Sequence, residues 1–157
     1  MAVELVRIDD RLIHGQVATT WLKDYQIEQV LIVDDAVSQD EMRKTMVSVA
    51  APVDVKVKVF SSARFQHVMQ RAQIKRRTLL LLTNPITAED LVAGGFPISE
   101  IIVGGMRRMP EREIISKAVS ATAAEQAAFR KLGEQQVKLT IQTVPRDEKK
   151  DLLKLLH

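Results

Sequence analysis

Short, largely apolar runs recur along this chain, and nearly every one is followed by a segment with helical spacing. That alternation restricts the possible folds more than any other feature. The strongest run is Thr78-Leu79-Leu80-Leu81-Leu82-Thr83, which stops at the turn pair Asn84-Pro85. A run this short and this apolar reads as a strand buried on both faces of a sheet. Gln29 to Asp34 has the same character, and Val3 to Ile8, Ile98 to Val103 and Val137 to Val144 supply further strands. Val53 to Phe60 sets valines against Asp54, Lys56 and Lys58, as a strand nearer an edge does. Ile114 to Val119 reads as one more strand.

The intervening segments read as helices. One spans Gln16 to Tyr25. A second opens on a capping box, Ser38 with Glu41, and ends by Pro52. A third, capped by Ser61 or Ser62, runs to about Ile74 with Phe65, Val68, Met69 and Ala72 at helical spacing. Thr87 caps a short helix closed by Gly94-Gly95. Thr122 and Glu125 form a further capping box for a helix ending at Gly133. A C-terminal amphipathic helix is expected from about Arg146, with Leu152, Leu153, Leu155 and Leu156 on its apolar side. Strands alternating with helices imply an α/β fold: a single domain over 1–157, built on a mostly parallel, mixed sheet of about seven strands with helices on both faces.

Composition narrows the function. A length of 157 residues allows one domain with a substantial core. There is no cysteine, which removes disulfide and thiolate chemistry and fits a reducing cytosol. Met1-Ala2-Val3-Glu4 does not read as a secretory signal, and no run approaches the ~20 apolar residues of a membrane span. The net charge of +3 is mild, and 4% aromatics give no RNA-stacking platform, so no nucleic-acid partner is expected. The three histidines, His14, His67 and His157, are too scattered for metal-ligand spacing. Neither a dinucleotide fingerprint nor a Walker loop is present, so no metal or cofactor is expected. Gly104-Gly105 is a weak signal by itself, and Asp34-Asp35 is better explained by helix-capping turns than by Mg²⁺.

In open α/β sheets, ligands bind beyond the carboxyl ends of the strands. Arg7-Ile8-Asp9-Asp10-Arg11-Leu12-Ile13-His14-Gly15-Gln16 lies on that edge: a strand, a charged loop and a helix N-terminus. The first backbone N–H groups of a helix, here those of Gly15 and Gln16, are unpaired and lie at the positive end of its dipole. Arg11 adds a fixed cation, and His14 a group that ionises near neutral pH and can act as a nucleophile. These residues suit a histidine that holds a phosphoryl group, since phosphoryl transfer is mainly positioning and charge stabilisation. A structural histidine is the plainer alternative. Asp9 and Asp10 could orient the imidazole, or one could pair with Arg7 or Arg11 and hold the loop. Arg43, about a turn inside the second helix, can point toward the same edge.

The same stretch, continued to Val17, resembles the active-site signature of the IIB component of the mannose/fructose/sorbose family of bacterial sugar phosphotransferase systems. Val33-Asp34-Asp35, Asp40 to Thr45, Ala51-Pro52, Leu82 to Pro85, Val103 to Met106, Ala118-Val119-Ser120, Ala128 to Leu132 and Val144-Pro145 follow the family pattern in order. The resemblance implies a protein-phosphohistidine–sugar phosphotransferase subunit. Its histidine, here His14, takes a phosphoryl group at Nδ1 from a IIA component and passes it to a sugar bound by the membrane components IIC and IID. Arg11 and Arg43 match the arginines that would contact the phosphoryl group. Arg107-Arg108 falls where family members vary and is a candidate partner contact. The implied location is cytoplasmic and peripheral to the membrane complex, with a separate IIA partner. His14 is expected to be exposed in a shallow site, and the chain to be a monomer or weak homo-oligomer. The other class open to the residues is a non-catalytic module that senses a phosphorylated metabolite.

Overall fold

In the computed structural model the described residues are 2–156; the side chains of residues 16–18 also lie outside the description. The elements alternate as expected at first. They are β1 Val3–Asp9, α1 Gly15–Asp24, β2 Gln29–Val33, α2 Asp35–Ser38, α3 Glu41–Ala50, β3 Lys56–Phe60, α4 Ser62–Met69, β4 Thr78–Leu82, α5 Pro85–Ala93 and β5 Glu100–Gly105. A ribbon of β6 Glu113–Ile114 and β7 Ser120–Ala121 precedes α6 Ala123–Glu134, β8 Lys138–Ile141, β9 Lys150–Asp151 and a 3-10 helix, Leu152–Leu155.

Among the described residues the main sheet has seven strands in the order β3-β2-β4-β1-β5-β8-β9. All neighbours pair in parallel except β8 and β9, so the sheet is mixed, as the sequence indicates. The two most apolar runs, β2 and β4, sit side by side and are buried throughout. The alternating run, β3, is at the edge and partly exposed.

Each face of the sheet carries its own core. Val6, Ile8, Leu80, Leu82, Val103 and Ile141 meet Phe65, Leu91, Phe129 and Leu132 of α4, α5 and α6. Leu5, Val30, Ile32, Leu79 and Leu81 meet Trp21, Val37 and Val47 of α1, α2 and α3. Alternate residues of one strand therefore feed opposite cores, which is why these strands read as continuous apolar runs.

Several local expectations differ from the fold. Ser38 does not cap the second long helix. Asp34 accepts from Val37 N at 2.9 Å and starts α2 directly after β2, which places Ser38 at that helix's last position. Asp40 then caps α3 by accepting from Arg43 N at 3.1 Å. Asn84, not Thr87, caps α5, accepting from Ile86 N and Thr87 N. Pro85 stands just inside that helix, where its missing N–H costs nothing. The helix expected to reach Ile74 ends at Met69.

Residues 114–119 do not form a sheet strand. The chain folds back there, with Ile115 N and Ser116 N both donating to Val119 O, and β6 pairs antiparallel to β7. The seventh place in the sheet goes to β9, inside the expected C-terminal helix. Four leucines at that spacing suit a single turn as well as a long helix. Leu152 is fully buried against the core of α4, α5 and α6, with Leu153, Leu155 and Leu156 packed beside it.

Candidate functional site

β1 lies between β4 and β5 at the middle of the sheet. The chain leaves β1 through α1 on one face, whereas it leaves β5 toward α6 on the other. Neighbouring strands whose connections diverge open a crevice at their carboxyl ends. The loop 10–14 sits over that crevice.

The loop is pinned from below. Leu12 and Ile13 are buried with Trp21 and Leu22. Leu12 takes φ +60°, uncommon for a residue with a side chain, and its N–H donates to Asp9 O at 3.0 Å. Asp10 N donates to Gly105 O at 3.1 Å and ties the loop to β5. Two buried apolar side chains in succession then deliver His14 as the N-cap of α1. Gly15 follows with φ +46°, a backbone conformation glycine adopts without strain. His14 makes no side-chain cap bond, and the first turn of α1 carries no acidic residue. An anion at those N–H groups would meet no fixed competitor on the helix itself.

His14 is half-buried rather than exposed, a correction to the shallow, open histidine expected from the sequence. Its Nδ1 lies 2.8 Å from Leu12 O. A carbonyl only accepts, so Nδ1 carries a proton, and in the neutral ring the lone pair is on Nε2. Nε2 is itself buried and, among the described residues, without a partner. In this arrangement one nitrogen is occupied and the other shielded.

Neither carboxylate orients the imidazole; that part is played by the Leu12 carbonyl. Asp9 is 1% exposed and its carboxylate serves two arginines. Oδ1 accepts from Arg11 N at 3.1 Å and Arg11 Nε at 3.2 Å, while Oδ2 accepts from Arg11 Nη2 at 3.3 Å and Arg7 Nη2 at 3.4 Å. Arg7 is buried under α1 with its guanidinium 4.7 Å from the Trp21 ring, and it donates to Gln142 O and Thr143 O. Burial lowers the Arg7 pKa, against the opposing pull of Asp9. Trp21 Nε1 donates to Thr143 O as well, at 2.8 Å. One buried cation thus clamps β1, α1 and the segment after β8.

Asp10 is structural too. Its Oδ2 accepts from Arg107 N and Arg112 Nη1, both at 3.0 Å. Arg112 also pairs with Glu125, the N3 residue of the Thr122 capping box, at 2.9 Å. Burial opposes the charge on Arg112, but its bonds to Glu125 and Asp10 outweigh that and raise its pKa. Arg112 gave no signal in the sequence, since it acts on a residue 102 positions away.

Arg11 is the accessible cation of the loop, with its side chain 47% exposed and lying over Gly105. Arg43 is on the first turn of α3, at the same sheet edge. Among the described residues its guanidinium has no hydrogen-bond or ion-pair partner, and none joins it to His14. The side chain of Gln16 lies outside the described residues. Arg107 and Arg108 are exposed beyond β5. Asp34 and Asp35 are used in capping: Asp34 bonds Val37 N and the Thr83 hydroxyl, and Asp35 accepts from Ser62 N. Among the described residues no cluster of three potential metal ligands occurs.

Beside the loop a cleft of about 680 Å³ opens between the ends of β1, β5 and β8. Asp10, Arg11, Gly105, Arg107 and Thr143 are in its walls, but His14 is not.

This site and fold have known counterparts. The family model for the PTS system sorbose subfamily IIB component matches residues 3–157. The chain belongs to the sorbose subfamily of PTS IIB components. Members of that family accept a phosphoryl group from a IIA component and pass it on to a sugar. The chain is 37% identical to the fructose-specific EIIB component of Bacillus subtilis (strain 168), covering 100% of this chain and 97% of that one. It is also 37% identical to the mannose-specific EIIAB component of Escherichia coli (strain K12), covering 99% of this chain and 49% of that longer protein. The crystal structure of the IIBSor domain of the sorbose permease from Klebsiella pneumoniae superposes with a TM-score of 0.93 at 37% identity, covering 99% and 96% of the two chains. The IIB fold is thus the one read from the sequence, α/β with a mixed, mostly parallel sheet.

Proposed function

We propose that His14 is the residue that carries the phosphoryl group. The observation that carries this reading is its position: the N-cap of α1, making no side-chain cap bond, over the crevice at the carboxyl end of β1, in a chain of the IIB family. An imidazole lone pair attacks phosphorus of the phosphohistidine on the IIA component. The new N–P bond forms as the donor's N–P bond breaks. A sugar hydroxyl then attacks the same phosphorus, the bond to His14 breaks, and the hydroxyl proton leaves, with the freed imidazole available to take it.

Arg11 neutralises the phosphoryl oxygens, and the N–H groups of Gly15 and Gln16 at the start of α1 bind them. Arg43 is the second phosphate contact once a group is present. The resting ring has to turn before it accepts, because Nδ1 is held by Leu12 O and Nε2 is shielded. For the Nδ1 chemistry that the family resemblance implies, the ring must leave the Leu12 carbonyl and move its proton to Nε2. The sugar is bound by the IIC and IID membrane components, with this chain on their cytoplasmic side. No described helix is long and apolar enough to cross a membrane, which agrees with a peripheral part.

The test is transfer of label from phosphoenolpyruvate, through the general phosphotransfer proteins and a IIA component, to this chain and to His14→Ala. The wild type takes up acid-labile, alkali-stable phosphate and the variant takes up none. Normal labelling of His14→Ala would overturn the assignment.

A further inference from the structure

Arg11 is not an isolated cation. Its backbone N–H, Nε and Nη2 all donate to Asp9, at 3.1, 3.2 and 3.3 Å. That grip fixes a long, flexible side chain, and among the described residues Nη1 is left without a partner. A simple ion pair would nevertheless serve a phosphoryl site poorly. A carboxylate this close cancels much of the positive charge and repels phosphoryl oxygens in its own right.

Arg7 removes that difficulty. Its Nη2 lies 3.4 Å from Asp9 Oδ2, the same oxygen that accepts from Arg11 Nη2. The Arg7 and Asp9 side chains are 4% and 1% exposed, so water screens their attraction little. Arg11 holds the outer side of the same carboxylate, with its side chain half in solvent. Two arginines on one carboxylate leave a net positive charge, and only the outer arginine can present it. Arg7 also bonds the carbonyls of Gln142 and Thr143, but a neutral donor could do that without the cost of burying a charge.

Gly104-Gly105, a weak signal in the sequence, belongs to the same arrangement. A side chain on Gly104 would take the place of the Arg7 guanidinium. One on Gly105 would start 3.0 Å from Arg11 Nη2 and 3.2 Å from Asp9 Oδ1. Two bare positions at the end of β5 thus make room for both arginines around one carboxylate. Asp10 is turned away onto Arg112 and the Arg107 N–H, and Glu125 beyond it lies at the positive start of α6.

We propose that Arg7 is a positioning residue for phosphoryl transfer: by neutralising Asp9 from inside the fold, it lets Asp9 fix the Arg11 guanidinium without cancelling its charge. Arg7 touches no reacting atom and acts only through Arg11. The proposal rests on the reading that Arg11 serves the phosphoryl group of His14.

The experiment measures the rate of labelling of the full chain by a saturating IIA donor, with urea unfolding of each variant alongside. Arg7→Gln removes the inner charge and is expected to slow labelling about tenfold, less than the 10²–10³-fold that follows loss of a whole transition-state donor. Arg7→Lys restores the charge without the paired carbonyl bonds, and recovers most of the rate while remaining less stable than wild type. Arg7→Gln/Asp9→Asn removes both buried charges, restores the net positive charge, and labels faster than Arg7→Gln. In the phosphorylated chain, ionisation of the phosphoryl group followed by ³¹P NMR moves to higher pH in Arg7→Gln and back in the double variant. A purely structural Arg7 would leave that titration unmoved.

Wild-type labelling of Arg7→Gln, Arg7→Lys as slow as Arg7→Gln, or a double variant no faster than Arg7→Gln would each overturn the proposal. If Arg7→Gln does not fold, the double variant decides, since it removes the buried pair as a unit; a rate as low as that of Arg11→Gln overturns the proposal. Slow Arg11→Gln with normal Arg7→Gln refutes the part of Arg7 alone, whereas normal Arg11→Gln removes the reading of Arg11 and this proposal with it.

Discussion

Asp9→Asn is the sharpest probe of how the site is held. The substitution keeps shape and volume but removes the charge that faces two guanidinium groups. Arg7 is the sensitive partner, because its side chain is 4% exposed and Asp9 is 1% exposed. Removing one member of a buried pair leaves an uncompensated charge, at a cost of roughly 3–5 kcal/mol. Arg7 keeps the carbonyls of Gln142 and Thr143 and the face of Trp21, so the lower end, ~3 kcal/mol, is expected. For a chain of this length that is a fall in Tm of roughly 6–12 °C. The single tryptophan, fully buried beside Arg7, reports unfolding in urea by fluorescence. The double variant Arg7→Met/Asp9→Asn should lose less than the sum of the singles, with a coupling of roughly 1–3 kcal/mol. A loss below ~1 kcal/mol, the range of an exposed pair, would refute the argument by showing that Arg7 is solvated.

Other substitutions address separate parts of the framework. A Cβ on Gly104 would stand 1.9 Å from Arg7 Nη2, so Gly104→Ala should push the guanidinium off the carbonyls of Gln142 and Thr143; a loss of roughly 1–3 kcal/mol in urea unfolding is expected. Asn84→Ala removes the cap of α5 and should cost about 1 kcal/mol, read from the same transition. Arg11→Gln should slow labelling of the chain by the IIA donor while Tm moves by less than that of Asp9→Asn, because Arg11 is half-exposed and Arg7 retains its counter-ion. An Arg11→Gln chain labelled at the wild-type rate would remove Arg11 from the phosphoryl site.

Much of this molecule is written locally. Thr78 to Leu82 could satisfy its backbone and bury its leucines only inside a sheet, and it lies there between β2 and β1. Thr122 with Glu125 closes a capping box from four adjacent residues, so no distant contact was needed to read it. The strand–loop–helix order around His14 likewise follows from neighbours, because the polarity of a helix N-terminus belongs to the backbone. The residues that resemble the IIB signature sit in that stretch, which made the family legible before the fold.

What the sequence left open depends on partners far along the chain. Two aspartates in succession look equivalent, yet Asp9 turns into the sheet toward Arg7 and Asp10 turns toward Arg112, 102 positions on. Ser38 and Asp40 are both good caps, and the early start of α2 at Asp34 decided between them. The C-terminal leucines carry a spacing that both a helix and a single turn satisfy. The pairing of Lys150–Asp151 with β8 used up the residues a longer helix would have needed. The tautomer of His14 is of the same kind: composition placed an imidazole at a helix N-terminus, but the left-handed turn at Leu12, held by burial of its side chain, aims the carbonyl that occupies Nδ1. Short-range propensity and backbone polarity determine where strands, caps and the histidine fall. Which charge meets which, and which ring nitrogen is free, are settled only when segments distant in sequence compete for the same space.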